Sequence, residues 1–393
     1  MTRICRIAFV APILLACLLN SPLPAQQKKK KPGDDDGMTL PPVITDDKKK
    51  KKKEETQTLP PAVEPPSAVV VDTDRISFQV SPLSNKGLLS QQTRDALKTM
   101  LRTNRGVTIV KLRAFVAGSG DLRRIGEIVA EVFTEKHQAL PALSVIQAGA
   151  LPMVGAQVVL ESTALEKRPV NPNGLGFLSG QAAPSVGQSL DKLKSALRSA
   201  GLEAADVLRA TCFVSSLDDP AAIGSAISAS FPSAAINYVQ MQREPVNPAS
   251  ECEAVARLHA GSTADVRFVN PPELDRSPNY SQVVLVTSPK LVITGTQLAF
   301  GAQENDIRLA FERLRRALAQ FKAGFERIAM SHVYLTSTTM TEKVRAVRAT
   351  FYNTTTPPAS TLLPFEGLPS LDATFGVDVI AVPAEATASR PRH

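Results

Sequence analysis

The 393-residue chain has no tryptophan, only four tyrosines and only four cysteines. Cys5 and Cys17 lie near the amino terminus, so only Cys212 and Cys252 remain farther along. Two cysteines are too few for a disulfide scaffold. We favour two small buried apolar side chains over a disulfide, which an oxidising compartment would permit. The four histidines are scattered away from cysteines and acids at ligand spacing, so we expect no metal and no cofactor.

Several catalytic signatures are missing, including a glycine-rich phosphate loop and a serine nucleophile elbow. The net charge of +8 is also milder than it looks, because ten lysines and ten acids cancel between residues 26 and 74. About +6 remains from Arg75 onward. This charge favours solubility and predicts no nucleic-acid partner.

The amino terminus has the pattern of an export signal over residues 1–25. Arg3 and Arg6 precede an apolar run at 7–19, and "PLPA" provides a cleavage site. We therefore expect a periplasmic or secreted protein. The alternative is a lipoprotein anchored at Cys17, which ends "LLAC", although two leucines continue the apolar run past it.

Residues 26–74 alternate charge blocks and prolines with almost no apolar residues. Such a segment buries too little surface to offset its ordering entropy, so we predict a disordered tether. Lys28–Lys31 and Lys48–Lys53 either make weak contact with an anionic envelope or belong to a solvated spacer, and we favour the spacer.

From Arg75 the chain repeats one outline three times. A helix ends near a glycine, and 35, 31 and 34 residues later a proline follows; 20, 21 and 20 residues beyond it stands an acid. The markers are Gly106, Pro141 and Glu161; Gly201, Pro232 and Glu253; and Gly324, Pro358 and Asp378. In the third copy, one helical face carries Ile307, Phe311, Leu314, Leu318 and Phe321.

Each copy therefore predicts an α+β unit with the order β-β-α-β-α-β-β. We place the copies at 75–167, 168–262 and 263–386, with a tail at 387–393. "NYSQVVLVTSPKLVITGTQ", residues 279–297, predicts the opening hairpin of the third copy, whereas the first copy is degenerate and has a single opening strand.

Three stretches resemble a known family. "NYSQVV…LVITGTQ", "GFLSGQ" at 176–181 and "ECEAVA" at 251–256 are similar to motifs of the RidA/YjgF family, also called endoribonuclease L-PSP-like. The resemblance implies a chorismate-mutase-like fold that forms trimers with clefts between subunits. Three copies in one chain would then form an intrachain pseudo-trimer, and we expect a monomer.

The family hydrolyses reactive enamines and imines, and the resemblance implies an arginine in a "PAR" motif that binds the substrate carboxylate. Here the three equivalents are Leu143, Ala234 and Ser360, none of them cationic. A bidentate guanidinium is the usual clamp for a carboxylate. Its absence predicts an altered substrate or lost catalysis.

Other family positions survive in part. Glu251 matches the water-orienting glutamate and Tyr280 the cleft tyrosine, so they are the catalytic candidates; a solvated acid and a loop-capping hydroxyl are the alternatives. Arg243 is a candidate replacement cation. Candidate substrate-binding turn residues are Gly180, Gln181, Gly295 and Gln297.

Two functions remain open. The first is an exported 2-iminobutanoate/2-iminopropanoate deaminase-like hydrolase with an altered substrate. The second is a non-catalytic pseudo-trimer that binds a small ligand in the clefts between copies, or a protein partner.

Overall fold

The computed structural model describes residues 63–103, 106–243 and 249–384. The predicted signal peptide, most of the predicted tether and the 387–393 tail lie outside these residues. The part described contains both helices and sheets, so the α+β prediction is confirmed.

The helices form where the sequence carries an apolar face. The predicted face in the third copy is confirmed, since Ile307, Phe311, Leu314 and Leu318 are fully buried. A hydrogen bond from the Gln303 amide to the Asp306 carboxylate caps the start of this helix. The helices of the described residues are α1 Leu89–Thr103, α2 Arg123–Glu135, α3 Val186–Ser199, α4 Pro220–Ser230, α5 Glu304–Ala319 and α6 Thr341–Ala349. In this part of the chain, none of them is long and apolar enough to cross a membrane.

The predicted helix stops differ in their conformation. Gly201 has a φ of 73°, the left-handed conformation that glycine adopts easily. Gly324 instead is extended, and Lys322 takes the left-handed conformation with a φ of 55°. The turn after α5 therefore comes two residues earlier than the glycine signal indicated.

The first sheet has one strand before α1, one between α1 and α2, and two after α2. Its order is β2 (Ile76–Val80), β5 (Val158–Leu165), β3 (Thr108–Ala117) and β4 (Ala142–Ala148). The β3–β4 pair is parallel, and the other pairs are antiparallel.

The second and third sheets contain the same four-strand order with additions at one edge. The second sheet runs β10 (Val266–Val269), β11 (Val283–Val286), β6 (Leu175–Ala183), β9 (Ser250–Arg257), β7 (Val207–Val214) and β8 (Ala235–Gln240). The third runs β1 (Ala68–Asp72), β12 (Lys290–Thr294), β16 (Ala373–Ala381), β14 (Ile328–Leu335) and β15 (Ala359–Pro364), with β13 (Gln297–Phe300) also beside β16.

The predicted hairpin at 279–297 is wrong. β11 pairs with β6 of the second sheet, with Val283 opposite Leu178, whereas β12 belongs to the third sheet. The edge of β12 is occupied by β1, with Val71 opposite Leu291. The two runs therefore belong to different sheets. β11 pairs with β6 and β10, and β12 pairs with β1 and β16, so they form no hairpin with each other.

The pairings of β1 and β11 also correct two predicted boundaries. The predicted tether reaches residue 74, yet Ala68–Asp72 is a paired strand whose Val71 is buried. The predicted third copy begins at 263, yet Val266–Val269 and Val283–Val286 complete the second sheet. The apolar run in "AVVVD" buries Ala68 and Val71, which supports a strand next to the proline-rich segment.

One face of each sheet packs against its two helices, and the other faces pack against one another. Phe115 of β3, Phe213 of β7 and Phe365, which follows β15, form a triangle of rings. Their centroids are 5.9, 6.2 and 5.7 Å apart. The three sheets therefore share one buried centre.

The acids that marked the repeat spacing converge on this centre. Glu161, Glu253 and Asp378 lie directly opposite Arg113, Thr211 and His332 on the neighbouring strands. Contacts then cross between the sheets, as in the following hydrogen bonds: Arg113 to Glu253 at 2.8 Å, Thr211 to Glu161 at 2.8 Å and Thr361 to Glu253 at 2.5 Å. Burial of these charges is offset by mutual pairing.

The remaining cysteines form a disulfide, contrary to the favoured prediction. Cys212 of β7 lies opposite Cys252 of β9, and their Cα atoms are 4.1 Å apart. Both are fully buried in the core between the second sheet and its helices. Their pairing came from strand register, which sequence spacing alone did not show.

Candidate functional site

The candidate site lies where β15 of the third sheet runs beside β6 of the second. We call it the junction site and define it by Ser179, Glu251, Tyr280, Arg348 and Ser360. Ser179 Oγ accepts a 2.8 Å hydrogen bond from the Ser360 amide and donates one of 2.6 Å to the Ser281 carbonyl. The serine of "LSGQ" thus ties together the two sheets and the segment that leads into β11.

Glu251 stands at the start of β9 and is half-buried. Burial and the charge of nearby Glu253 raise the pKa of Glu251 to about 8. Its side chain has no hydrogen bond or ion pair to the described residues. At neutral pH the group is therefore a protonated acid that holds a transferable proton, and it is not the solvated acid of the alternative interpretation.

Gly180 makes room for this carboxyl group. A Cβ atom on Gly180 would overlap the Glu251 carboxylate. The small residue in "SGQ" therefore lets the Glu251 side chain keep its present position.

Tyr280 lies in the same electrostatic environment. Burial raises the pKa of Tyr280, and the charge of Glu251 raises it further. An interaction with Gln282 lowers this pKa in part, and the Gln282 side chain accepts a 2.7 Å hydrogen bond from Gln181. The structure thus brings the candidate residues Glu251, Tyr280, Gly180 and Gln181 together.

Arg348 is the site residue that the sequence reasoning missed. It projects from α6 and is 3% exposed; its Nη1 donates a 3.1 Å hydrogen bond to Ser360 Oγ and its Nη2 one of 2.6 Å to the Asn279 carbonyl. Its guanidinium also lies 5.7 Å from the centre of the Tyr352 ring. In the described part of the chain no carboxylate pairs with it.

This guanidinium is therefore a buried cation without an anionic partner. Burial lowers its pKa, although an arginine keeps its proton at any ordinary pH. The sequence signal was an arginine on the helix that precedes the "PAS" segment, 12 residues before Ser360. Reading only the residue after the proline could not reveal it.

Two other predicted residues lie elsewhere. Gly295 and Gln297 border a cavity of about 370 Å³ between the first and third sheets, together with Leu143. The Thr296 amide donates a 3.1 Å hydrogen bond to the Leu143 carbonyl. This second cleft has Leu143 where the family has its arginine, and its lining is mainly apolar.

The prediction for Arg243 is wrong. Arg243 lies beyond the end of β8, whereas Ala234 precedes its start, so a strand of six residues, about 20 Å, separates them. The Arg243 Nε donates a 3.1 Å hydrogen bond to the Gly149 carbonyl at a separate cavity of about 1010 Å³. Arg243 is close to β8 in sequence, but it lies at the opposite end of this strand from Ala234.

Comparison with known proteins supports the motif assignment. The family model described as Endoribonuclease L-PSP matches residues 273–383. A RutC family protein of Haemophilus influenzae is 30% identical over 129 residues, which are 32% of this chain and 85% of that protein. The 2-iminobutanoate/2-iminopropanoate deaminase of Escherichia coli is 33% identical over 90 residues, 23% of this chain and 62% of the deaminase.

Solved structures of similar proteins cover a comparable part of the chain. The Rid family protein YyfB of Yersinia pestis is 18% identical and matches 30% of this chain and 98% of its own, with a TM-score of 0.29. Escherichia coli TdcF with bound serine is also 18% identical and matches 24% of this chain and 81% of its own, with a TM-score of 0.22.

Proposed function

The chain belongs to the RidA/YjgF family, and we propose that its junction site hydrolyses an imine or enamine that carries a carboxylate. The distant similarity to a 2-iminobutanoate/2-iminopropanoate deaminase supports this reaction class. The proposal depends on whether the site supplies a cation for the carboxylate and a proton for the nitrogen.

One observation carries the proposal. Arg348 donates to Ser360, the residue that stands where the family resemblance places its carboxylate-binding arginine. A guanidinium from α6 thereby reaches the place left vacant by the arginine of the "PAR" motif. Because no carboxylate of the described chain pairs with it, a substrate carboxylate would be its natural counterion.

Glu251 supplies the proton transfers in this proposal. As the neutral acid it protonates the imine nitrogen, and water then attacks the iminium carbon while the resulting carboxylate accepts the water proton. A second transfer protonates the nitrogen of the carbinolamine. As the C–N bond breaks, the Glu251 carboxylate takes the proton of the carbinolamine hydroxyl, ammonia leaves and the 2-keto acid forms. For an enamine, the first proton goes to the β-carbon.

The test supplies 2-iminobutanoate in situ and follows 2-ketobutanoate release above the rate in buffer. We expect clear acceleration by the wild type and its loss in Glu251→Ala. Arg348→Lys should raise the KM, whereas Arg316→Lys on the exposed surface of α5 should behave like the wild type. A wild-type rate equal to that of buffer would rule out the proposal for this substrate.

We further propose that the three sheets derive from three copies of the family unit, which together form an intrachain pseudo-trimer. The common four-strand order, the parallel pair at one edge and the matched positions of Glu161, Glu253 and Asp378 support this. Sedimentation equilibrium tests the expected monomer. A trimer of the whole chain would contradict it.

A binding role is the second candidate, favoured by the cavity beside Leu143. Its volume of about 370 Å³ suits a small ligand, and Leu143, Val145 and Leu298 give it an apolar wall. Leu143→Arg would add a charge there. If this cleft binds uncharged apolar ligands, the substitution should abolish fluorescence changes from a small apolar dye while leaving junction-site turnover unchanged.

Export remains part of the proposal, because residues 1–25 carry the pattern of a signal peptide. Fractionation of cells, with mass determination of the mature amino terminus, distinguishes cleavage before Gln26 from lipidation at Cys17.

A further inference from the structure

A small cavity lies at the buried centre where the three sheets meet, apart from the junction site. Its volume is about 20 Å³, enough for one water-sized guest. It is lined mainly by charged and polar side chains from the first, second and third sheets, namely Lys111, Arg113, Glu161, Arg209, His332 and Asp378.

Three of the lining side chains carry a buried nitrogen without a hydrogen-bond partner. These atoms are Arg113 Nη1, Arg209 Nε and His332 Nε2. Their residues are only 3, 6 and 4% exposed, respectively. His332 Nε2 lies 3.3 Å from Glu253 Oε1, but the alignment does not make a hydrogen bond. Leaving such donors unpaired is costly, so three in one place indicate a missing acceptor.

The carboxylates around the cavity are already satisfied. Glu161 accepts hydrogen bonds from Arg113, Thr211 and Asn237. Asp378 is bonded to His332 and accepts from Ser144 and Tyr334, as the distances of 2.9, 2.5 and 3.1 Å show. The space therefore has three spare nitrogens, and beside them the Ser162 hydroxyl, also buried without a partner, can donate as well as accept.

The charges around the cavity nearly balance. The lining includes three cations, Lys111, Arg113 and Arg209, and two carboxylates, Glu161 and Asp378. Burial opposes protonation of His332, yet the charge of Glu253 and the hydrogen bond to Asp378 raise its pKa above the usual value. The buried phenol of Tyr334, its pKa raised by burial, adds no charge. Glu253 lies just behind the lining and pairs with Arg113 and Arg209, so the cations and carboxylates balance and a protonated His332 adds one positive charge.

We propose that this central cavity binds one monatomic anion, chloride in solution, between Arg113, Arg209 and His332. Chloride accepts hydrogen bonds without donating any, as the unpaired nitrogens require. A cation would face three unpaired nitrogens, and water would bring two protons to a lining in which the Ser162 hydroxyl is the unpartnered acceptor. Sulfate or phosphate would exceed the volume.

Anomalous diffraction from crystals grown in bromide tests the site in the intact protein. We expect a bromide peak inside the cavity, at hydrogen-bond distance from Arg113 Nη1 and Arg209 Nε. A cavity without an anomalous peak at saturating bromide, whether empty or holding water, would overturn the proposal.

Thermal unfolding provides the solution test. At constant ionic strength and pH 7, replacing gluconate by chloride or bromide should raise the Tm of the wild type in proportion to the logarithm of halide concentration. Sulfate should give no such specific dependence. Arg209→Gln should lose the halide dependence, whereas Arg257→Gln, at an exposed position in the same sheet, should retain it.

The comparison uses the slope against halide concentration, so a lower starting Tm of Arg209→Gln does not obscure it. If that variant does not fold, His332→Gln replaces it, and the bromide peak in the wild type decides independently. Equal slopes in the wild type and a folded site variant would contradict the proposal.

Discussion

Arg348 and Ser360 lie 12 residues apart on different elements, yet Arg348 Nη1 is hydrogen-bonded to Ser360 Oγ at 3.1 Å. The helix α6 thereby delivers a guanidinium to a strand that has no cation of its own. The position of a charge in a cleft can thus be kept while the residue that supplies it moves to another element. This relationship is the basis of the proposed carboxylate site.

Substitution of Arg348 by lysine should weaken substrate binding. The change removes the forked pair of donors, and hydrogen bonds to a charged group contribute roughly 1.5–3 kcal/mol each. We expect KM for a carboxylate-bearing imine to rise about 10- to 100-fold, with a smaller change in kcat. Steady-state kinetics beside the Arg316→Lys control measures this. An unchanged KM would show that the substrate carboxylate binds elsewhere.

The acidity of Glu251 should appear in the pH dependence of activity. Since its pKa is about 8, the group is protonated at neutral pH and loses its proton above that value. The kcat/KM should fall as the pH rises through about 8. In Glu251→Gln the step should disappear together with about 10²- to 10⁴-fold of the rate. A profile that rises through pH 8 would assign the opposite role to the group.

The same group should affect stability. Its pKa is raised from 4.5 in the unfolded chain to about 8 in the folded protein, so the folded state holds the extra proton between these values. Stability should therefore decrease as the pH rises from about 4.5 to 8. Glu251→Gln should remove this part of the pH dependence, as measured by urea unfolding at several pH values. Parallel curves for the two proteins would contradict the assignment.

Gly180 provides a steric test of the junction site. A methyl group at this position overlaps the Glu251 carboxylate, so Gly180→Ala should displace the acid and strongly reduce activity. Gly187→Ala is the matched control, because nothing lies within 4 Å of the added atom in α3. The control should be as active as the wild type and equal or slightly higher in Tm. Full activity of Gly180→Ala would separate Glu251 from the reaction.

The disulfide should contribute to the stability of the second sheet. Its cysteines are 40 residues apart, and the chain-entropy model gives about 4 kcal/mol for a loop of this length. Reduction, or the double change Cys212→Ala and Cys252→Ala, should lower the free energy of unfolding by up to about this amount. Mass spectrometry after thiol alkylation checks the bond directly. Alkylation of Cys212 and Cys252 in the unreduced, denatured protein would show that it is absent.

The helices and the shared spacing were accessible from the sequence, since they depend on local periodicity. Ile307, Phe311 and Leu314 are separated by helical steps, and burial of that face is its simplest consequence. Glu161 and Asp378 likewise recur at fixed distances because each occupies the same place in a strand register.

What the sequence did not predict depends on contacts between distant segments. The composition of 283–286 and 290–294 indicates two strands but does not show which strands they pair with. β1 occupies an edge of the second of them, β12. Arg348 and Arg243 show the same limit for the site, because the direction of a side chain relative to another sheet is set by tertiary packing. The Cys212–Cys252 bond follows from register in the same way.

The exchange of edge strands has a consequence for dissecting this molecule. A fragment cut at residues 75, 168 or 263 would leave the third sheet without Ala68–Asp72 or remove Val283–Val286 from the second. The segment before residue 75 lends a strand to the third sheet, and the last third lends two strands to the second sheet, so neither of these sheets is complete within its own third of the chain. Replacing one third of the chain by the corresponding unit of a relative would therefore leave an edge strand without its partner.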